Sequence, residues 1–342
     1  MAELMDRLAE GPVICAEGYL FELERRGYLQ AGGFVPEVVL EHPEKVAELH
    51  REFVHAGSDV VEAFTYYAHR EKLRLIGKEE LLEEINRQAL GIAKEVAADT
   101  GALVAGNVCN TNVWTGEESR DRVRAMFEEQ VGWAVDAGVD FVIAETISWL
   151  GEALVATEVI REAGLPAVVT LTSHADPDMR EGVTPADACR RLEDAGADVV
   201  GLNCSRGPET LLPLLEQVRE AVSVPVAGLP VPYRTTEEQP SFQSLEDQAA
   251  PELPGGRPFP TALDPFTCNR YEIAEFTRAA QRLGVSYLGV CCGAAPHHIR
   301  AMAEALGRTP PASRYSADMS KHAYLGTDPS LKAEYQDYAE RL

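Results

Sequence analysis

Cys291 and Cys292 stand side by side at the end of a short apolar run, SYLGVCC (286–292), and Cys204 closes a similar run, DVVGLNC (198–204). Adjacent cysteines rarely bridge each other, because the small ring strains the peptide between them. Three thiolates that meet can hold Zn²⁺ and leave one coordination position open, which is the arrangement of a catalytic site, and soft sulfur selects zinc over Mg²⁺ or Ca²⁺. No Cys-x-x-Cys pair is present and Cys204 is far from the vicinal pair in sequence, so two readings stand on spacing: zinc ligation, or three small buried hydrophobes. Ligation carries a chemical consequence. A free thiol with a pKa of about 8.5 is mostly protonated at neutral pH, whereas one that enters the open position of a zinc ion loses its proton and can attack carbon.

Positioning such residues requires elements that end together. Short β-branched runs recur at 12–18, 59–65, 102–108, 141–146, 167–173, 198–204, 224–230 and 286–292. Helical patterns separate them, as in PEKVAELHREFVHAG (43–57) and PADACRRLEDAG (185–196). Near-continuous apolar strands alternating with amphipathic helices predict an α/β chain with a parallel sheet, and eight such units predict a (βα)8 TIM barrel. A doubly wound sheet is the competitor, but no Gly-x-Gly-x-x-Gly follows the first strand. In a barrel the chemistry sits at the carboxyl ends of the strands. Glu17-Gly18 end the first, Glu145-Thr146 the fourth, Asn203-Cys204 the sixth and Cys291-Cys292 the eighth, so three cysteines converge on one rim. Cys15, Cys109, Cys189 and Cys268 do not share that placement as a set, and His297 and His298, at the start of the last helical segment, read as capping or packing residues.

The expected organisation is a barrel over residues 1–310 with an insertion at about 231–268, a Pro- and Gly-rich stretch over the mouth or a mobile lid. Residues 311–342 form a C-terminal extension ending in the aromatic, helix-prone LKAEYQDYAERL. The 342 residues carry 31 basic and 55 acidic side chains, a net charge of −24 spread over helical faces, which argues against a nucleic-acid partner. No apolar window reaches the length of a membrane span, the amphipathic, acidic N-terminus fits no secretory signal, and seven cysteines suggest reduced thiols, so a cytoplasmic location is expected.

GLNC (201–204), GVCCG (289–293) and the following PHHIRAMAEAL closely resemble the homocysteine S-methyltransferase family. HPEKVAELHREFVHAGSDVVEAFTYYAHREKL (42–73) and RRGYLQAGGFVPE (25–37) resemble its betaine–homocysteine branch in particular. The resemblance runs from about residue 12 to 307. It implies a (βα)8 barrel that moves a methyl group from an onium donor to homocysteine, with Zn²⁺ held by Cys204, Cys291 and Cys292, and methionine as product.

By that resemblance Glu17, Gly18, Glu145 and Asn203 face homocysteine, while Phe34, Tyr67 and Thr146 face the donor, an aromatic cage suiting a quaternary ammonium. Three positions depart from the branch. Phe34 replaces a tryptophan, Thr146 a tyrosine, and Glu17 an aspartate, so the donor pocket is altered. Glycine betaine or a related betaine is the expected donor. A sulfonium such as S-methylmethionine or dimethylsulfoniopropionate is the alternative, and a non-catalytic barrel that binds zinc and homocysteine is a second one. The branch pairs its subunits through the C-terminal region, which implies a homodimer.

Overall fold

The computed structural model describes residues 2–247, 253–339 and 341; residues 248–252, inside the expected insertion, lie outside this description. Eight parallel strands close into a barrel in chain order: β1 (Val13–Ala16), β2 (Val60–Glu62), β3 (Leu103–Cys109), β4 (Phe141–Ile147), β5 (Ala167–Leu171), β6 (Val199–Asn203), β7 (Val226–Leu229) and β8 (Val285–Val290). The ring closes where β8 pairs with β1, with Val13 opposite Tyr287 and Cys15 opposite Gly289. Each expected apolar run therefore supplies one strand, and the doubly wound alternative is excluded.

The helices are α1 (Ala2–Glu10), α2 (Tyr19–Arg25), α3 (Val38–Glu41), α4 (Pro43–Ala56), α5 (Arg70–Ile76), α6 (Leu82–Thr100), α7 (Arg120–Ala137), α8 (Leu150–Glu162), α9 (Pro185–Asp194), α10 (Pro208–Ala221), α11 (Arg270–Arg282), α12 (Pro296–Ala305) and α13 (Ala333–Ala339). Local signals set their ends. Pro43 and Pro185 open α4 and α9 at positions where no amide donor is needed, and the Thr184 side chain accepts from the Asp187 amide. Gly57 ends α4 in the left-handed region at φ 118°.

Alternation along the strands divides the interior into two levels. Val13 and Cys15 of β1, Val60 of β2, Leu103 and Ala105 of β3, Phe141 and Ile143 of β4, and Tyr287 of β8 form one buried apolar cluster, joined by Leu4 of α1. The same inward-facing series continues with period two into Glu17, Glu62, Asn107, Glu145, Asn203 and Cys291. The barrel is thus apolar at its amino end and polar at its carboxyl end. A larger apolar cluster, including Ile14, Phe53, Val61, Leu90 and Val142, fills the space between sheet and helices.

The connection from β7 to α11 packs back onto the barrel. The Val231 amide donates to the Arg206 carbonyl and the Phe242 amide to that of Ser205, while Phe242 and Leu245 are buried. After α12 the chain carries exposed Tyr315, Met319, Leu325 and Tyr338.

One buried group makes stability depend on pH. His50 of α4 is fully buried, its ring edge-on to Tyr19 at 4.7 Å, and neither ring nitrogen has a hydrogen-bond partner among the described residues. Burial, with Arg51 adding to it, lowers its pKa to about 3. An unfolded histidine takes up a proton below about pH 6.5, so this group draws the chain toward the unfolded state as pH falls from 6.5 toward 3. Between pH 7.5 and pH 5.0, His50→Leu is expected to lose about 2 kcal/mol less stability than the parent in urea denaturation; equal losses contradict the assignment.

Candidate active site

β6 and β8 end one residue before the cysteines they carry, and two loop conformations bring the sulfurs together. Cys204 and Ser205 adopt φ of 57° and 58°, a left-handed turn that ends the strand, while the Cys204 amide still donates to the Leu229 carbonyl at 2.9 Å. Across β7, the Cys291 amide donates to the Pro230 carbonyl at 2.9 Å, and the Ala294 amide returns to the Cys291 carbonyl. Gly293 makes this turn possible: its φ is 95°, and a Cβ there would lie 2.2 Å from the Tyr233 hydroxyl. The Sγ atoms of Cys204, Cys291 and Cys292 consequently lie within 4.8 Å of one another. Hydrogen bonds from Cys291 and then Cys292 hold the Cys204 thiol well below its ordinary pKa, while burial first, and Cys204 second, raise that of Cys291.

Three sulfurs bound to one tetrahedral zinc at about 2.3 Å lie about 3.8 Å apart, a span this trio reaches with small side-chain adjustments. Two other donor groups of the same compactness, Cys15–Glu17–Glu62 and Glu17–Glu145–Cys291, mix carboxylates that are already hydrogen-bonded to asparagines. The all-sulfur trio suits a soft cation best.

Beside the sulfurs lies a buried acidic network. Asn203 Nδ2 donates to Glu145 Oε2 at 2.9 Å, to Glu17 Oε2 at 3.2 Å and to Thr146 Oγ1 at 2.9 Å, and its Oδ1 accepts from the Thr146 amide. Asn107 Nδ2 donates to Glu145 Oε1 at 2.6 Å and to Glu62. Among the described residues no lysine or arginine pairs with these carboxylates. Burial raises the pKa of Glu17 and Glu62, repulsion from Glu145 adds to it, and burial brings Glu145 to about 7. Among the described residues Glu17 Oε1, Glu62 Oε2 and Asn107 Oδ1 are buried acceptors without a partner. Such a group of acceptors calls for a cationic donor.

Gly18 brings this network against the cysteine turn, since a Cβ at Gly18 would meet Ala294 Cβ at 2.5 Å.

Toward solvent is a cavity of about 410 Å³ whose wall includes Cys204, Cys292, Thr146, Phe34, Tyr66 and Tyr67. Trp114, Trp149, Phe242 and Phe259 extend its aromatic surface. Phe34, Tyr67 and Thr146 have φ of 55°, 62° and 58°, a conformation that costs energy and is least natural for β-branched Thr146. The Thr146 hydroxyl is committed to Glu145 and Asn203. Lys72 places its ammonium 3.8 Å from the centroid of the Tyr67 ring.

All ten residues singled out from the sequence thus gather at this end of the barrel. Glu17, Gly18, Glu145 and Asn203 lie outside the cavity wall, and the donor-side residues lie in it. His298 caps α12, accepting from the Ala295 amide and contacting the Cys268 carbonyl through its other nitrogen, which leaves it no role at the sulfurs. Sequence reasoning missed Glu62 and Asn107, although a charged or amide side chain inside an apolar parallel strand was a readable signal. It also missed His174, which bridges Ser148 and Ser205 with both nitrogens at 3.2 Å, and Phe242 and Gln243. These come from loops, where no periodicity marks them.

The profile of the homocysteine S-methyltransferase family matches residues 15–306. Betaine–homocysteine S-methyltransferase 1 of Xenopus tropicalis is 37% identical, over 99% of this chain and 85% of its own length. S-methylmethionine–homocysteine S-methyltransferase BHMT2 of Pongo abelii is 36% identical, over 99% of this chain and 92% of its own. Among solved structures, the homocysteine methyltransferase MmuM from Escherichia coli in its metallated form superposes with a TM-score of 0.68 at 18% identity, covering 88% of this chain and 99% of that one, and so shares the fold.

Asn203 is the residue on which the acidic network turns. Asn203→Leu, of the same branched shape though bulkier, removes the amide donors that Glu17 and Glu145 share, and is expected to destabilise the chain by about 2–3 kcal/mol in urea denaturation. A change below about 0.5 kcal/mol contradicts that role.

Proposed function

This chain belongs to the homocysteine S-methyltransferase family, and from that premise we propose how its residues move a methyl group from an onium donor to the thiol of homocysteine. Cys204, Cys291 and Cys292 hold Zn²⁺. The ion supplies the Lewis acidity that lowers the pKa of a substrate thiol to neutral values. One observation carries the reading: a sulfur of the trio, on Cys291, lies within 4.8 Å of carboxylate oxygens of both Glu17 and Glu145. Homocysteine separates its sulfur from its amino nitrogen by only a few bonds, so a thiol at the cysteines puts its α-ammonium among the unpartnered acceptors. Glu17 and Glu145 bind that ammonium, Asn203 and Asn107 hold the two carboxylates in place, and Gly18 lets the β1–α2 turn approach.

Phe34 and Tyr67 present π faces to the cationic donor, and Thr146 shapes the wall between donor and amino acid. In the transfer, the homocysteine sulfur forms a bond to the methyl carbon as the bond from that carbon to the donor's nitrogen or sulfur breaks. The bonding pair leaves with the neutral amine or thioether, and the thiol proton passes to solvent. The chain's contribution is alignment of the two substrates in a pocket that excludes most water. Glycine betaine or a related betaine is the donor on this reading. A sulfonium donor is the second reading, and Thr146 favours it, because a threonine already bonded to Glu145 and Asn203 offers no ring to a quaternary ammonium. The exposed aromatic residues of 311–342 pair two copies of the chain.

Cys204→Ser, Cys291→Ser and Cys292→Ser are each expected to take bound zinc from about one ion per chain to near zero and to abolish methionine formation, with far-ultraviolet circular dichroism unchanged. Full zinc occupancy in any of the three overturns its ligand assignment. Methionine formation from homocysteine with glycine betaine and with S-methylmethionine decides between the donor readings, and formation with neither overturns both. In light scattering, the 37.3 kDa chain is expected at about twice its mass; a monomer overturns the pairing.

A further inference from the structure

In a chain with 55 acidic and 31 basic residues, most surface arginines have a carboxylate within reach, as Arg26 has Glu52 and Arg124 has Glu162. Arg180 is different. It is the only lysine or arginine among the described residues lining the 410 Å³ cavity, and no described carboxylate lies within ion-pair distance of it. Its guanidinium carbon lies 5.7 Å from the Trp149 ring centroid, at the mouth of the cavity.

The position is built. Arg180 sits on the connection between β5 and α9, where its amide donates to the Ser148 carbonyl at 3.1 Å and the next residue, Glu181, accepts from the Gly151 amide at 2.9 Å. The preceding Met179 is buried, and Arg206 donates to the Ala175 carbonyl at 2.9 Å, so the connection is tied to the loops after β4 and β6. Of the acids nearby, Glu152 lines the same cavity, feels the Arg180 charge and spends one oxygen on the Thr111 amide and hydroxyl, while Asp176 and Asp178 share a neighbouring hollow with Arg180; none of the three forms an ion pair with it among the described residues.

We propose that Arg180 is the anion anchor of the donor pocket: it pairs with a carboxylate on the methyl donor while the aromatic wall holds the onium group, and so selects zwitterionic donors over simple cationic ones. This rests on the donor reading above. An arginine fork suits a carboxylate in two-point contact, and at the mouth it meets the end of the donor opposite the transferred methyl. Arg180 shares its wall with Ser148, Trp149 and His174, whereas Glu17, Gly18 and Asn203 of the amino acid site are absent from that wall. The anchored carboxylate is therefore the donor's.

The test uses the zinc-loaded enzyme and two donor pairs matched by replacing the carboxylate with methyl: glycine betaine against ethyltrimethylammonium, and dimethylsulfoniopropionate against dimethylpropylsulfonium. The readouts are kcat/KM ratios within each pair and, without homocysteine, binding of each compound followed by the fluorescence of Trp149 and Trp114. Arg180→Met is expected to lower the preference for the carboxylate-bearing member by about tenfold to a hundredfold, mainly through KM, with Arg180→Lys recovering part of it. An unchanged ratio overturns the proposal, and so does a rise confined to the KM for homocysteine, which assigns Arg180 to the amino acid. If the parent binds glycine betaine through Arg180 but forms no methionine from any of the four, the donor reading fails and the anchor stands. Equal binding of charged pairs by the parent overturns the anchor even where methyl transfer is found.

Discussion

The carboxyl end of this barrel concentrates electron-rich groups out of water, and among the described residues no lysine or arginine pairs with them. Three carboxylates and three sulfurs meet there, and two asparagine amides are the principal donors among them. Burying such groups costs several kcal/mol unless partners are supplied. Three sulfurs this close suit a soft metal ion, and clustered carboxylates suit an ammonium, which is the basis of the function proposed above. The apolar lower half of the barrel, closed by Leu4, supplies the rigid packing against which this arrangement is held.

Backbone strain is distributed in the same place. Phe34 lies beyond α2, Tyr67 and Cys204 on the connections after β2 and β6, and Thr146 at a register shift within β4, and each lies in the left-handed region. Outside functional sites a non-glycine residue rarely adopts this conformation. Here all four line the common cavity, and hydrogen bonds such as Tyr67 N–H to Cys109 Sγ at 3.3 Å keep the backbone in place. Loops after neighbouring strands are tied to each other through His174 and Arg206, so the cavity wall is a connected shell.

The electrostatics are graded along the barrel axis. The buried network beneath the cavity is acidic, the cavity wall is largely aromatic, and Arg180 and Glu152 add one charge of each sign to that wall; in the function proposed above, the network meets an ammonium and the aromatic wall an onium. The charges nearest the sulfurs are the most deeply buried, and interactions with them are therefore the strongest.

The sequence alone determined the number and order of strands, because eight apolar runs separated by amphipathic segments have one economical parallel closure. It also marked Cys204, Cys291, Cys292, Glu17 and Glu145, since polar residues at the ends of apolar runs stand out against their surroundings. Tertiary structure decided what those residues are to one another. Only barrel closure, with β7 between β6 and β8, brings Cys204 to the vicinal pair, and only the period-two alternation across different strands joins Glu62 and Asn107 to Glu145. Phe242, His174 and Arg180 lie on irregular connections, whose positions follow from loop-to-loop hydrogen bonds and not from any local pattern. Local sequence encodes which face a residue takes; distance between strands is a property of the closed ring.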